Sequence, residues 1–212
     1  MRYKCVFDTS VVVASAQEVR GKLAKQIQSD LLSKIEDVDA LRVLLADMHD
    51  DLNGKVGRFR LVAELSAALG SMGAMMPGGE TVFPAWTEAR SSFVHGNYVA
   101  TVLLCQGIAE HILAAHLTHA INGEEPSNRI SFNETLNRCV ARDVITQQDA
   151  DDLRRLMGLR NPLSYYRTVD DPSNLSQRIL NTMLPAEAHL LNDASFAMSM
   201  AIRLLALSVF RS

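Results

Sequence analysis

The chain has 212 residues, 48% of them hydrophobic and 21% charged, with a formal net charge of -3. That length suits one large domain or a core with a smaller appendage, and the apolar share is enough to bury a core. The charge excludes a protein drawn to polyanions by its overall field, so any contact with nucleic acid needs a local basic patch. The odd, widely spaced cysteines, Cys5, Cys105 and Cys139, exclude a disulfide framework and a zinc ribbon. They read as reduced thiols of a cytoplasmic protein, with Cys105 in the core.

At the N-terminus, "KCVFDTSVVV" (Lys4 to Val13) resembles the opening of PIN-domain nucleases, in which a strand carries an aspartate to a metal centre. Such a centre needs more carboxylates converging from strand ends, because hard cations demand clustered oxygens. The residues that follow have helical rather than alternating periodicity, so Asp8 reads as a helix start. "SVVVASA" (Ser10 to Ala16) is too short, and too closely flanked by Asp8, Glu18 and Arg20, for a signal peptide or a membrane span.

Helical spacing then runs on from Val11 to Lys34 and from Val38 to Leu52, with Leu41, Leu44, Leu45 and Met48 on one side of the latter. "NGKVG" (Asn53 to Gly57) reads as a break, and a further helix carries Phe59, Leu61, Val62, Leu65 and Leu69. "GSMGAMMPGGE" (Gly70 to Glu80) is the best boundary in the chain. It divides an N-terminal helical region, residues 1–76, from a larger helical bundle, residues 77–212. Met72, Met75 and Met76 there read as loose packing or the edge of a partner groove.

Past the boundary, Pro84 opens a short helix that Gly96 ends, and Asn97 caps the next. That helix, "NYVATVLLCQGIAEHILAAHLTHA", is apolar nearly all round and should be central. Ser131 with Glu134, and Thr146 with Asp149, have the spacing of helix-start caps. "TVDDPSN" (Thr168 to Asn174) is a loop, and Pro185 opens a last helix through Leu205. With alternation almost absent, the fold class is all-α.

Two features of the bundle carry chemistry. In "LMGLRNPLSYYR" (Leu156 to Arg167) the α conformation is disfavoured before Pro162, so the helix should stop or kink at Asn161, with Pro162 starting a new segment. A kink there can bring Arg160 and Tyr165 toward one cleft, whereas a straight helix points them apart. The plainer reading, which the segment alone favours, is a capped turn with a solvated arginine and tyrosines packed at the rim. Glu110 sits mid-helix on the row Val99, Leu103, Gln106, Glu110, Leu113, Leu117. A carboxylate on an apolar row wants a guanidinium, which the Arg160 region can supply, though such pairs are often purely structural. Arg154, Arg155 and Arg167 flank the motif and offer either a basic rim for RNA or ordinary solvated charges. His111, His116 and His119 lack a cysteine or acidic pair to complete a metal set, so no metal and no cofactor is expected.

From about Phe83 to Phe210, the chain resembles a HEPN (higher eukaryotes and prokaryotes nucleotide-binding) domain. The resemblance lies in "AWTEARSSFVHGNY", "LLCQGIAEHIL", "LRRLMGLRNPLSYY" and "NDASFAMSMAIRLL" in that order. It implies a HEPN-like bundle preceded by an N-terminal extension, working as a homodimer whose two motifs line one cleft. Many members are metal-independent endoribonucleases of toxin–antitoxin, antiphage or RNA-processing systems, which would imply RNA and an antitoxin or other protein as partners. The family motif is Arg, four to six residues, then His, with Asn common after the Arg. Arg160 and Asn161 match its first part, and Glu110 matches the acidic residue of the core helix. Tyr165 stands at the histidine position of the shortest motif, and no histidine follows until His189. Histidine moves protons near neutral pH, whereas an unperturbed tyrosine, with a pKa of about 10, serves better as a hydrogen-bond donor or stacking surface. Tyr165 therefore implies a silenced site or a binding site with weak activity. Tyr166 joins the RNA-binding set with Arg154, Arg155 and Arg167. A non-catalytic helical interaction or dimerisation module is the competing reading.

Overall fold

The computed structural model describes residues 37–70, 74–119 and 130–211, in which eight α-helices and three short 3-10 turns occur and no strand. The all-α expectation holds for these residues. The stretches around Asp8 and from Val11 to Lys34 lie outside them. Two compact units divide after Asp50. In the first, helix α1 spans Asp37–His49, with Asp37 and Asp39 favourably placed at the positive end of its dipole. None of its residues is buried, and Val38, Leu41, Leu44, Leu45 and Met48 are all exposed.

The second unit begins at Asp51 and so includes the helix before the Gly-rich boundary. Helix α2 is Leu52–Ser66, and "NGKVG" lies within it rather than breaking the chain. The break falls at Asp51, which adopts a left-handed conformation (φ 48°) and accepts from the Gly54 amide at 3.2 Å. A carboxylate cap of this kind stabilises a helix start by about 1 kcal/mol, enough to offset one interior glycine. Val62 is buried and Leu65 and Leu69 pack behind it.

Helices α3 (Val82–His95) and α4 (Tyr98–His119) follow, joined at Gly96, whose φ of 82° suits glycine. Then come α5 (Phe132–Ala141), α6 (Gln147–Ser164), α7 (Leu175–Thr182) and α8 (Ala186–Leu205). Helix α4 is the hub: α3, α5, α6 and α8 all pack on it. Val102, Cys105, Ile108, Ile112, Leu113 and Leu117 are fully buried or nearly so, each contributing roughly 1.5–3 kcal/mol for its larger side chains. By length and composition α4 could cross a membrane, but its apolar window packs into this core, half of it buried. Gly78 (φ 117°) lets the chain pass against α4, since a Cβ there would lie 3.2 Å from the His111 carbonyl and 2.6 Å from Val82 Cγ2.

The caps expected at Ser131 and Thr146 form. Ser131 Oγ accepts from the Glu134 amide at 3.2 Å, and Thr146 with Asp149 forms a reciprocal capping box. Cys105 and Cys139 are buried free thiols, and burial pushes the Cys105 thiol up to about 12.

Candidate functional site

Helix α6 does not stop at Asn161. It runs through Pro162 to Ser164, and the Tyr165 amide donates to the Asn161 carbonyl at 2.9 Å. The proline lies in the last turn, where it removes one amide and the helix has only three residues left to bend. The pre-proline bias is outweighed by that short remainder, and Pro162 starts no new helix. Tyr165 is the C-cap, with extended backbone (φ -125°, ψ 139°), and this turn-out, not a kink at Asn161, folds its ring back. The Arg160 guanidinium then lies over the Tyr165 ring at 5.3 Å. A cation over a tyrosine face contributes about 0.5–1 kcal/mol at an exposed site.

Arg160 is half-buried and, among the described residues, has no carboxylate partner. Tyr165, against the Arg160 guanidinium, is 58% exposed, and Tyr166, the next residue, is 89% exposed. Asn161 is half-buried next to them, holding the helix end through its carbonyl.

Glu110 does not take Arg160 as its partner. It is half-buried on α4 and accepts from Gln106 Nε2 at 3.1 Å, one turn earlier on the same helix. Partial exposure lets water solvate the carboxylate, which removes the need for a guanidinium. Gln106 is 1% exposed, and its own Oε1 has no partner among the described residues. The row from Val99 to Leu117 is thus not uniformly apolar and buried: Leu113 and Leu117 are inside, Leu103 is half-covered and Val99 is exposed.

The three flanking arginines are all engaged. Arg154 donates to Asp151 at 2.6 Å and to Asn137 Oδ1 at 2.8 Å. Arg155 stacks over Phe196 of α8 at 4.4 Å, and Arg167 lies 3.8 Å from Asp171. Such exposed pairs contribute little energy and exchange easily, so the arginines remain usable by a ligand, but they form no bare cationic rim. His116 packs edge-on against Phe210 with centroids 5.5 Å apart, His111 is exposed, and the His119 side chain lies outside the description. Among the described residues no group of three metal-ligating side chains converges.

A polar cluster elsewhere escapes a motif-led reading. Arg178 of α7 forks onto Asp193 of α8 at 2.6 and 2.9 Å, and its Nη2 also donates to His189 Nδ1 at 3.4 Å. Arginine being donor-only, His189 is protonated on Nε2, which donates to Thr182 Oγ1 at 2.8 Å. Thr182 in turn donates to the Arg178 carbonyl at 2.8 Å. Asp193 and His189 are both buried. The i,i+4 spacing of His189 and Asp193 was the available signal. With the Asp193 carboxylate, both His189 nitrogens and the Thr182 hydroxyl all engaged within the cluster, its role is to fasten α7 to α8.

No protein-family model, curated protein or solved structure matches this chain. Functional inference therefore rests on the geometry of the α6 C-terminus. That end offers a half-buried cation, two exposed aromatic faces and a second arginine within two residues of them. The set can hold a phosphate and stack unpaired bases. It brings no imidazole to Arg160 from its own segment, and the next histidine along the chain, His189, is tied to Arg178 and Thr182.

Proposed function

We propose that the bundle is a HEPN-type RNA-binding protein that engages single-stranded RNA at the end of α6 and has lost efficient cleavage. The observation that carries this reading is Arg160, stacked on Tyr165 and free of any carboxylate among the described residues, beside the exposed Tyr166. Arg160 would contact a backbone phosphate, while Tyr166, and Tyr165 where its face is open, would stack on bases. Arg167, Arg155 and Arg154 would exchange their weak surface contacts for further phosphates. Asn161 positions the helix end. Cleavage by the family's route needs a proton acceptor near the ribose 2′-hydroxyl at neutral pH, a role for which a phenol is poorly suited compared with an imidazole. Glu110, bound to Gln106, would sit beside the site rather than in an ion pair with Arg160. A cytoplasmic homodimer, with an antitoxin or other protein as a further partner, belongs to the same proposal.

Binding of labelled single-stranded RNA to the full chain, measured across a salt series, tests it. Affinity should fall as salt rises, and Arg160→Ala and Tyr166→Ala should each weaken it about tenfold, the scale of one phosphate contact or one stacked base. Tyr165→His should bring cleavage in EDTA that Arg160→Ala abolishes. An affinity untouched by Arg160→Ala would sink the reading. In that case the interaction-module reading moves ahead, favoured by the apolar face that α1 leaves exposed.

A further inference from the structure

We infer that α1 is the dimerisation element of this protein, pairing with α1 of a second copy as a parallel two-stranded coiled coil. The inference adds to the homodimer of the RNA-binding reading a seam outside the bundle, and the two fail separately: Arg160→Ala reads RNA affinity, Leu45→Asp reads dimer mass.

The helix Asp37–His49 buries nothing, yet Val38, Leu41, Leu45 and Met48 stand on it at successive spacings of three, four and three residues. Each is more than half exposed. That spacing is the a, d, a, d series of a heptad seam, with β-branched Val38 at a and Leu41 at d, the pairing that favours two strands in parallel. A single helix of this length is marginal in water without something on its apolar side.

The charges select the occupant and its direction. In this register Asp37 falls at g and Arg42 at the following e. A parallel pair sets Asp37 of one copy against Arg42 of the other, twice over by symmetry. An antiparallel pair would set e against e and g against g, facing Arg42 with Arg42 or His49, and Asp37 with Asp37 or Leu44, with no attraction gained. Arg42 now makes only an exposed contact to Asp39 at 3.1 Å within its own helix, which it can exchange at little cost. A lipid surface is disfavoured, since the helix carries Asp37, Asp39 and Asp47 against Arg42 alone, and anionic headgroups attract the opposite balance.

The test is the oligomeric state of the full chain by sedimentation equilibrium, with site-directed crosslinking in a Cys5→Ser background. The unaltered chain should give twice the chain mass. Leu41→Asp and Leu45→Asp should each weaken dimerisation about a hundredfold or more, since each places two charges in the seam. Arg42→Asp should weaken it several-fold, and Asp37→Arg with Arg42→Asp should restore it. Leu41→Cys should oxidise to a covalent dimer, whereas Val43→Cys, on the outer face, should not. Circular dichroism of each variant would confirm that the bundle is intact. A chain that stays monomeric, a dimer indifferent to Leu45→Asp, or a charge exchange that fails to rescue would each overturn the proposal. A dimer formed only through the bundle would show itself by the second of these.

Discussion

Asp149 accepts from the Thr146 amide at 3.0 Å and from the Thr146 hydroxyl at 2.6 Å, and the Arg203 guanidinium of α8 closes on its other oxygen. Burial works to raise its pKa, but the Thr146 bonds and the Arg203 charge prevail and hold the carboxyl below its ordinary value of 3.8. A carboxyl whose folded pKa is depressed adds stability that is complete above the unfolded value and is lost as pH falls through the folded one. Asp149→Asn should therefore cost about 2 kcal/mol at neutral pH, the scale of a hydrogen bond to a charged partner. The gap between variant and parent should narrow steadily below about pH 4. Urea melts of the two chains at pH 7 and pH 3 would measure it, and an unchanged gap at pH 3 would mean that Asp149 is not the charged partner described.

At the scale of the element, α7 is the informative case. It has no buried residue of its own, so the Arg178 fork onto Asp193, with His189 and Thr182 behind it, holds it down. The Asp193 hydrogen bonds also raise the Arg178 pKa further above its usual value. Arg178→Met would leave Asp193 buried without its partner and should cost about 3 kcal/mol, with faster amide exchange confined to Leu175–Thr182. Adding Asp193→Leu should recover most of that loss, because an apolar pair removes the stranded charge. Failure of the double variant to recover would place the energy of the attachment elsewhere. Elements whose cause is local were legible in the sequence: the caps at Ser131 and Thr146, the Gly96 stop, the Pro185 start and the apolar hub α4. Asn53–Gly57 and Pro162 have the composition of breakers, but an Asp51 cap and a helix with one turn to run outweigh them. The α7 fastening, and the choice of Gln106 over Arg160 by Glu110, depend on side chains meeting across or along helices with water nearby, and no short motif encodes that. Arg160 and Tyr165 meet through a C-cap turn, the local feature that the segment alone suggests, and not through a kink at Asn161.

For the whole molecule, the question is where the bundle begins. The Gly-rich stretch from Gly70 to Glu80 looks like a boundary in composition, yet the compact unit starts at Asp51. Within it Val62 is buried, Leu65 and Leu69 pack against the core, and Arg58 Nε donates to the Val94 carbonyl at 3.0 Å. The same guanidinium lies 5.7 Å from the Tyr98 ring, and Arg211 donates at 2.8 Å to the carbonyl of Ala68 in the 3-10 turn (Ala67–Leu69) that follows α2, so both α2 and that turn are fastened to the bundle. Removing residues 1–50 should then leave the Tm of the bundle within about 2 °C, since that cut takes none of these contacts. Removing residues 1–76 exposes the side of the core that Val62, Leu65 and Leu69 cover. At roughly 1.5–3 kcal/mol per well-buried aliphatic side chain, and less for the two partly covered leucines, the loss is about 3–5 kcal/mol. For a unit of this size that lowers the Tm by roughly 10 °C, because each kcal/mol is worth about 2–4 °C. Calorimetry of the two truncated chains decides the matter: equal melting temperatures would make the Gly-rich stretch the true boundary, and a bundle that melts early only when α2 is gone places it at Asp51.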